Sequence, residues 1–598
     1  MRDLFKLNRF FKKYKGPVAL GVIFLTLANM FLVWIPILIR QTMDAVEEIS
    51  KSSNEVYDST FDILFHQEAG NILAINSLYL LGAVLLYGLF LFATRQTIIV
   101  TSRKIEYDLR NEIFDHLLKL PQSYFNRTSS GDVYTRATED VVRVREYFGP
   151  GFMYTINTLT RAGIIITIMI MVNPTLTFWA LLPLPFLSVL AYWISGFINR
   201  RSTEIQHQYS NLVGRVQEAY SSNRLIKAYN REDYEQVRFE HESEVYKKKK
   251  LGLDVVESLF HPTLNLLIGM SVVLVLWQGG SMVIEGTISV GNIAEFIIDV
   301  AYLTWPVASL GYTLNLLQRS AASNNRIQAL MAEPHQILDD KQTETSITRL
   351  SGQIEFHDVE FTYPGSSVPV LKNLNLKIEA GQNIAIVGRT GSGKTTAVQL
   401  ITRLYDPQKG KITMDGIDIK RIPLSVLRAH IGYVPQDTFL FSDTIAENIS
   451  FGVNNASEED IRNAASHAQI LENILHFDQK FETKLGERGI TLSGGQKQRT
   501  SIARALIRKP KILILDDSLS AVDTKTENEI SQHLHDFKYG TSILISHRIS
   551  TVQNANVIYY IEDGTIVEYG THERLLSLNE KYSEMYKKQL LEKELEEI

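Results

Sequence analysis

The sequence predicts a protein of two parts, an α-helical membrane domain followed by an α/β domain. Apolar stretches of bilayer-spanning length are concentrated in the first half of the 598 residues. A glycine-rich loop over 388–395 follows an apolar run and precedes a helical pattern, and a second apolar run over 512–517 ends in two carboxylates. We therefore expect a transmembrane domain over 1–333, a linker over 334–349 and an α/β domain over 350–598.

Six apolar stretches are long enough to cross a membrane, since a bilayer core of ~30 Å needs about 20 helical residues. The first lacks the small-residue cleavage site of a secretory signal, so we expect it to be retained. Buried helices of a soluble protein are the alternative, but six such lengths with charged flanks favour membrane spans. The predicted spans are Val18–Ile39, Ile72–Ala93, Phe152–Val172, Leu176–Ile198, Leu259–Trp277 and Ile293–Leu317.

The placement of lysine and arginine predicts the orientation of these spans. Basic residues crowd the segment before the first span, whereas the connection over 41–71 is mostly acidic. The long connections over 94–148 and 200–256 are rich in arginine and lysine. Because basic loops stay in the cytoplasm, we expect a multi-pass protein of the cytoplasmic (inner) membrane, surrounded by membrane lipids, with its N-terminus and α/β domain in the cytoplasm.

The two long connections keep helical periodicity, so we expect them to continue the membrane helices beyond the bilayer. Each has one turn-like interruption, at Pro121–Asn126 and at Tyr220–Arg224. These turns either present a short helix to a cytoplasmic domain or are plain solvated hairpins.

The composition excludes several classes of protein. The chain has no cysteine, which rules out a disulfide scaffold and thiolate metal sites. Its net charge of -5 and its isoelectric point near 6.3 give no sign of a nucleic-acid partner.

The loop over 388–395 has the form G-x-x-x-x-G-K-[ST], which holds the phosphates of a nucleotide. Its glycines let backbone N–H groups wrap the polyphosphate, Lys394 reaches the outer phosphates, and the Thr395 hydroxyl binds Mg²⁺. The helix that follows directs its positive end at the same anion. The residues expected to contact the nucleotide here are Gly388, Arg389, Thr390, Gly391, Ser392, Gly393, Lys394, Thr395 and Thr396.

Two further motifs complete the chemistry of a nucleotide-hydrolysing site. The run Ile512–Asp517 predicts a buried strand whose end holds the metal, with Asp516 on the metal side. The stretch Leu492–Gln496 opens a helix and offers a second glycine-rich anion site, formed by Ser493, Gly494, Gly495 and Gln496. Since one nucleotide does not need two such sites in one domain, the second is expected to cover a nucleotide held by another copy, which requires a dimer.

The order of these motifs closely resembles the ABC transporter family, in particular exporter half-transporters with six membrane helices fused to one ATPase domain. The resemblance covers essentially the whole chain. It rests on the phosphate loop, the 492–496 and 512–517 stretches, Gln436 within 433–437, the turn 520–523, and His547 within 545–548.

The resemblance implies ATP and Mg²⁺ as cofactors and an ATPase domain with an antiparallel β subdomain and a helical subdomain. It implies that Tyr363 stacks on adenine, that Gln436 senses the metal and the membrane domain, that Asp523 lines the dimer seam, and that His547 contacts the γ-phosphate. Gly486–Gly489 resembles the loop that meets the cytoplasmic hairpins in exporters. Asp517, His547 and Gln436 are then the catalytic candidates, and Thr395, Gln436 and Asp516 the metal ligands.

Asp517 departs from the family pattern, which usually has glutamate after the metal aspartate to polarise the attacking water. The shorter side chain shifts the carboxylate, and a displacement of about 1 Å can cost on the order of 100-fold in rate. With aspartate at this position, the chain resembles the degenerate half of a heterodimeric exporter, in which one of the two ATP sites hydrolyses slowly. The alternative is a homodimer in which aspartate orients the water.

Ionisable residues within the spans are costly and usually face a bundle interior or an aqueous cavity. Arg161, Glu295 and Asp299 are such residues, and the matched depth of Arg161 and Asp299 suggests a pair. Tyr302, Trp305 and Tyr312 either line a cargo cavity or serve as packing aromatics.

The function that we predict is ATP-driven export of a hydrophobic or amphipathic substrate, such as a drug, lipid or peptide. It would proceed by alternating access in a dimer with a second half-transporter. The rival interpretation is a regulatory, slowly hydrolysing subunit or an ATP-gated, channel-like protein.

Overall fold

The computed structural model describes residues 7–52, 67–486, 489, 492–519, 526–527, 529–530 and 540–596. Two compact units are present. One consists of the residues up to His116 together with Gly131–Ala332, and the other of Leu117–Ser130 together with the residues from Glu333 onward. The predicted turn at 520–523, including Asp523, and the residues Glu487 and Arg488 lie outside the described part of the chain.

The first unit is built from long helices, and the short helix Gln122–Arg127, which separates two of them along the chain, belongs to the second unit. The helices of this part of the chain are Asn8–Lys13, Lys15–Ser52, Gln67–Thr94, Val100–Lys119, Gln122–Arg127, Ser130–Ala137, Glu139–Glu146, Phe152–Val172, Pro174–Leu181, Pro183–Ser221, Asn223–Ala228, Glu232–Ile284 and Val290–Met331. Two π-helical turns, Arg95–Ile99 and Tyr147–Gly151, join consecutive helices. Both predicted turns in the long connections are confirmed as short helices, at Gln122–Arg127 and Asn223–Ala228.

Five helices of the described residues are long and apolar enough to cross a membrane: Lys15–Glu48, Asn71–Lys119, Ser130–Val172, Asn265–Ile284 and Val290–Met331. They contain or overlap five of the six predicted spans. The remaining predicted span, Leu176–Ile198, falls on the helices Pro174–Leu181 and Pro183–Ser221. Several of its side chains lie outside the described part of the structure.

The helices Lys15–Ser52 and Val290–Met331 approach closely at Gly291. A Cβ atom at this position would lie 2.3 Å from the Asp44 carboxylate and 2.8 Å from the carbonyl oxygen of Arg40. Glycine is therefore required for the two helices to touch here. Ser289 begins the second helix with a capping box, in which its hydroxyl and the Asn292 side chain each accept a backbone N–H of the other residue.

The suggested pair of Arg161 and Asp299 is wrong. The Arg161 Nε donates to the Asn29 Oδ1 at 3.2 Å, and the buried Glu295 accepts an ion pair from Arg40 at 3.0 Å. Among the described residues Asp299 has no ion-pair partner, although it lies one helical turn from Glu295. Equal depth sets the height of two residues, whereas the rotation of each helix about its axis decides which side chains meet.

The aromatic residues of the last span divide between two environments. Tyr302 packs against a buried cluster that includes Phe296, Val300 and Leu303. Trp305 and Tyr312 are 57% and 59% exposed in the single chain. Packing therefore accounts for Tyr302, and a cargo-facing role stays a prediction for the other two.

The second unit contains two β-sheets. The strands are β1 Ile354–Phe361, β2 Leu371–Ile378, β3 Asn383–Val387, β4 Lys409–Met414, β5 Ile417–Asp418, β6 Ile431–Val434, β7 Ile512–Asp516, β8 Thr541–Ile545, β9 Val557–Glu562 and β10 Thr565–Gly570. One sheet is antiparallel with the order β2-β1-β4-β5. The other has the order β10-β9-β3-β8-β7-β6, with parallel pairing throughout except between β9 and β10.

The second unit also contains short helices. They are Lys394–Ile401, Leu424–Ala429, Ile445–Ser450, Glu458–His467, Leu471–Leu475, Gly494–Leu506, Ile549–Val552, His572–Leu578 and Lys581–Glu596, with a 3₁₀ turn at Lys480–Glu482. Those between β6 and β7 in the chain, including the helix that begins in the 492–496 stretch, pack together in one hydrophobic cluster. The predicted antiparallel sheet, parallel sheet and helical part are therefore confirmed.

Strands β1 and β7 both end next to residues of the predicted site. Strand β1 passes an irregularity at Asp358, a residue with φ of 47°, and ends at Phe361. Tyr363 consequently lies beyond the strand. Strand β7 ends at Asp516, so Asp517 belongs to the following turn.

Candidate nucleotide site

The phosphate loop lies where the central strand β3 ends and the helix Lys394–Ile401 begins. Strand β3 is flanked by β8 and β9 in parallel, so the carboxyl ends of three strands meet at this edge of the sheet. Gly388 has φ of 150°, and a Cβ atom there would lie 2.1 Å from the carbonyl oxygen of Ile561. This clash makes glycine obligatory at the first position of the loop.

Lys394 is buried, and its side chain folds back onto the phosphate loop. Its Nζ donates to the carbonyl oxygens of Gly388 at 2.9 Å and Arg389 at 2.8 Å. Burial lowers the pKa of the Lys394 ammonium to about 8, while the carboxylates of Asp517 and Asp516 act in the opposite direction. The site thus keeps a weakly solvated cation where the outer phosphates of a nucleotide would lie.

Thr395 and Asp516 form the predicted metal side of the site. The Thr395 hydroxyl donates to the Asp516 Oδ1 at 3.0 Å, and the Asp516 Oδ2 is buried without a hydrogen-bond partner. Burial raises the pKa of Asp516, and the hydrogen bond from Thr395 acts against this effect. A buried carboxylate oxygen with unused acceptor capacity beside a hydroxyl suits a hard cation that prefers oxygen ligands, such as Mg²⁺.

Asp517 and Gln436 are in contact with each other in the same site. The Gln436 Nε2 donates to the Asp517 Oδ2 at 3.4 Å, and the Asp517 backbone N–H donates to the Ile545 carbonyl oxygen at 2.9 Å. Asp517 has φ of 46°, in the left-handed region that aspartate tolerates better than most residues. This backbone geometry fixes the position from which a short carboxylate reaches into the cleft.

His547 lies beyond the end of strand β8. Burial and then the positive charge of Lys394 lower the pKa of His547, while Asp517 acts in the opposite direction. The imidazole is therefore held neutral near pH 7, in a form that has one N–H to donate. The Gln589 side chain donates to the His547 carbonyl oxygen at 2.5 Å and anchors the backbone of this turn.

These residues surround one cleft of about 310 Å³. It is lined by Tyr363, Val370, Thr390, Gly391, Gly393, Lys394, Thr395, Thr396, Gln436, Asp516, Asp517, Ile545 and His547. All three predicted catalytic residues and all three predicted metal ligands are therefore in the same cleft. The Tyr363 hydroxyl bonds the Thr396 hydroxyl at 2.9 Å and donates to the Gln399 Oε1 at 3.1 Å, which fixes its ring at the rim.

Three residues of the phosphate loop do not form the walls of the cleft. Gly388 packs against Ile561, Arg389 is exposed and contributes its carbonyl oxygen to Lys394, and the Ser392 hydroxyl is buried without a hydrogen-bond partner. These residues shape the loop, and direct contact with a nucleotide stays a prediction for each of them.

The 492–496 stretch is not part of the cleft wall. Ser493 and Gln496 form a capping box at the start of the helix Gly494–Leu506, with the Gln496 side chain accepting the Ser493 N–H at 3.0 Å. Ser493 and Gly494 are exposed. The exposed, glycine-rich start of this thirteen-residue helix agrees with the expectation of a surface that acts on another chain's nucleotide.

Sequence reasoning missed several residues of the site. Tyr433 lies in the 433–437 stretch, where only Gln436 was expected to have a role, yet burial raises its pKa and the charge of Asp516 raises it further. Gln399, Val370 and Ile545 also border the nucleotide site. The register of β6 against β7, which pairs Tyr433 with Ile514, places the tyrosine beside the metal strand, and no local pattern reveals that pairing.

Comparisons with known proteins give a consistent result. Residues 18–307 match the family model of the ABC transporter transmembrane region, and residues 371–520 match that of the ABC transporter. The chain is 37% identical to the probable multidrug resistance ABC transporter ATP-binding/permease protein YheI of Bacillus subtilis (strain 168), over 81% of this chain and 83% of the relative. It is 34% identical to the multidrug resistance-like ATP-binding protein MdlA of Escherichia coli (strain K12), over 89% and 90% of the two chains.

Two further matches extend the comparison. The chain is 35% identical to the ATP-dependent lipid A-core flippase of Desulfotalea psychrophila (strain LSv54 / DSM 12343), over 81% of this chain and 84% of that protein. Among solved structures, a bacterial Atm1-family ABC exporter with ATP bound matches with a TM-score of 0.77, over 96% of this chain and 99% of that chain. At 23% identity, this structural likeness concerns the fold.

Proposed function

Because the chain belongs to the ABC transporter family, we propose that it is the slowly hydrolysing half of a two-chain exporter. The family and the relatives support the general activity of this chain, which is ATP-driven export of hydrophobic or amphipathic substrates by a membrane ATPase. Our proposal concerns the division of labour between this chain and a second half-transporter.

The observation that carries the proposal is Asp517. Its carboxylate lies in the cleft, 3.4 Å from Gln436, on a backbone held at φ of 46°. The expected role of this position is to orient water in the transition state, and a misplaced hydrogen-bond acceptor lowers the rate far more than it lowers ground-state binding. ATP binding and ATP hydrolysis are therefore separable at this site.

Binding would depend on residues that the cleft retains. Lys394 supplies the positive charge for the outer phosphates, and the backbone N–H groups of the loop supply hydrogen bonds. Thr395, Asp516 and Gln436 would hold Mg²⁺, and a bound Mg²⁺ would neutralise phosphate charge. His547, neutral near pH 7, would donate its N–H to a phosphate oxygen.

Hydrolysis would depend on the partner. The exposed Ser493, with the glycines that follow it, would cover the γ-phosphate held by the second half-transporter and complete that site. A partner with glutamate at the position of Asp517 would then carry turnover, while this chain's own ATP would stay bound for longer.

We propose that the cargo is a drug-like or lipid-like molecule and that the assembly lies in the cytoplasmic membrane with both ATPase domains in the cytoplasm. The relatives, which are multidrug resistance proteins and a lipid A-core flippase, support this class of cargo. The basic connections over 94–148 and 200–256 support the orientation.

Purification of the tagged chain from its own cells tests the proposal. We expect an untagged half-transporter, with glutamate after its metal aspartate, to co-purify in equal amount. The same preparation in vesicles should move cargo against a gradient, which a channel does not do. Recovery of the tagged chain as a dimer of itself would contradict the two-chain proposal and would favour a homodimer that uses aspartate for hydrolysis.

A further inference from the structure

The membrane unit contains buried carboxylates that the nucleotide site does not explain. Glu295 and Asp299 lie one turn apart on the helix Val290–Met331, with 0% and 1% of their surface exposed. Asp299 is about 13 Å along the helix axis from Val290, at 1.5 Å per residue. Both residues therefore lie well inside the predicted membrane span.

The two carboxylates differ in how they are compensated. The Glu295 Oε2 pairs with Arg40 at 3.0 Å, whereas the Glu295 Oε1 has no hydrogen-bond partner. The Asp299 Oδ1 also has none, and no described cation forms an ion pair with Asp299. Burying an ionised carboxylate without a partner costs far more free energy than burying the neutral acid.

The Glu295 partner Arg40 lines a large cavity near the start of the helix Val290–Met331, which we call the outer cavity. It has a volume of about 910 Å³, and its walls include Arg40, Asp44, Glu48 and Asn292. The Asp44 Oδ1 is buried without a hydrogen-bond partner, and Asp44 is close enough to Glu295 to interact with it electrostatically. Gly291 permits this approach of the two helices.

Carboxylates consequently follow one another from the cavity wall into the membrane, from Asp44 to Glu295 to Asp299. Residues four apart on a helix lie about 5–6 Å apart at their Cβ atoms, so a proton can pass between them with small side-chain motions or through one water molecule. The other charged or titratable groups that face this part of the bundle are Arg40 on the helix Lys15–Ser52, Tyr87 on Gln67–Thr94, Arg161 on Phe152–Val172, and Tyr302 on the same helix as Asp299.

We propose that Asp299 is a proton-binding site inside the membrane domain, reached from the outer cavity through Asp44 and Glu295. The Asp299 carboxylate accepts a proton that a hydronium ion in the cavity gives up as it becomes water, and the neutral acid returns the proton along the same residues. No described cation forms an ion pair with Asp299, and a proton needs no coordination shell of several ligands. This site goes beyond ATP-driven export and does not depend on which chain hydrolyses ATP.

Infrared difference spectroscopy of the full transporter in lipid nanodiscs tests the proposal directly. At neutral pH the wild-type protein should show the C=O stretch of a protonated carboxyl group that Asp299→Asn lacks. Glu48→Gln is the matched control, because it removes an exposed carboxylate of the same cavity and should leave the band intact. If Asp299→Asn does not fold, ¹³C-labelled aspartate in the wild-type protein should shift the band without any substitution.

Transfer to D₂O tests the route. The band should shift as the carboxyl proton exchanges, and Glu295→Gln should slow that exchange several-fold. Absence of the band, its persistence in Asp299→Asn, its loss on addition of Na⁺, or unchanged exchange in Glu295→Gln would overturn the proposal. ATPase activity of the same samples is measured separately, so a failed proton site is distinguished from a failed transporter.

Discussion

At the scale of residues, the protonation state of the Lys394 amine decides how tightly the loop binds phosphate. Burial lowers its pKa to about 8 before a nucleotide enters the cleft. The ammonium is therefore present below that pH and is lost as the pH rises through it. We predict that ATP affinity at this site falls as the pH rises above about 8.

Equilibrium binding of ATP as a function of pH measures this effect. Lys394→Arg is the control, because a guanidinium stays charged over this range and should bind more weakly without the same pH dependence. Lys394→Ala should abolish useful binding at this site, since the main cation facing the outer phosphates is gone. Wild-type affinity in that variant would contradict the assignment of the site.

Asp517 combines a short side chain with a left-handed backbone. We predict that Asp517→Glu raises hydrolysis at this chain's own site, because the added methylene moves the carboxylate toward the water. The change should also destabilise the domain by about 1 kcal/mol, since glutamate tolerates a positive φ less well than aspartate. Single-turnover hydrolysis and thermal unfolding of the same variant measure the two effects. No gain in hydrolysis would mean that the missing methylene is not the defect.

At the scale of elements, the short helix Gln122–Arg127 belongs to the same compact unit as the ATPase domain. The Asn126 Nδ2 donates to the Tyr405 hydroxyl at 2.8 Å, and Tyr405 is buried. Arg127 also pairs with Glu333. These contacts tie the turn of the connection over 94–148 to the domain that binds the nucleotide.

We predict that Tyr405→Phe weakens this attachment by about 1 kcal/mol, the usual net value of such a hydrogen bond. Transport per ATP hydrolysed should fall while ATP binding stays close to normal. Tyr569→Phe is a matched control, because that tyrosine is exposed and its ring stacks on Tyr559. Equal transport in the two variants would contradict a coupling role for Asn126 and Tyr405.

The elements also show what could be predicted from sequence and what could not. The loop 388–395 and the strand before Asp516 are local patterns, so their fold and their place in one cleft were predictable. The contact between Asn126 and Tyr405 joins residues 279 positions apart, and its register cannot be read from either segment alone. The pairing of Arg161 failed for a related reason, because depth along a helix does not specify the direction of a side chain.

At the scale of the whole molecule, substitutions of Ser493 distinguish two roles of this chain, which are binding its own ATP and completing the partner's ATP site. A bulky substitution such as Ser493→Arg should block turnover at the partner's site, because the exposed helix start is expected to face that site's γ-phosphate. ATP binding by this chain should stay nearly normal, since Ser493 is not part of its own cleft wall. Ser493→Ala should cost about 1 kcal/mol of capping and have a smaller effect on turnover. Loss of binding and turnover together in Ser493→Arg would indicate misfolding.

The central claim is that this chain binds ATP while a partner carries the hydrolysis. It is tested most directly by the steady-state ATPase activity of the purified assembly with Asp517→Asn, measured beside the wild type. The account predicts activity close to that of the wild type, and near-complete loss when the corresponding glutamate of the partner is changed to glutamine. Near-complete loss in Asp517→Asn itself would contradict the account, because Asp517 would then be the carboxylate that orients the attacking water.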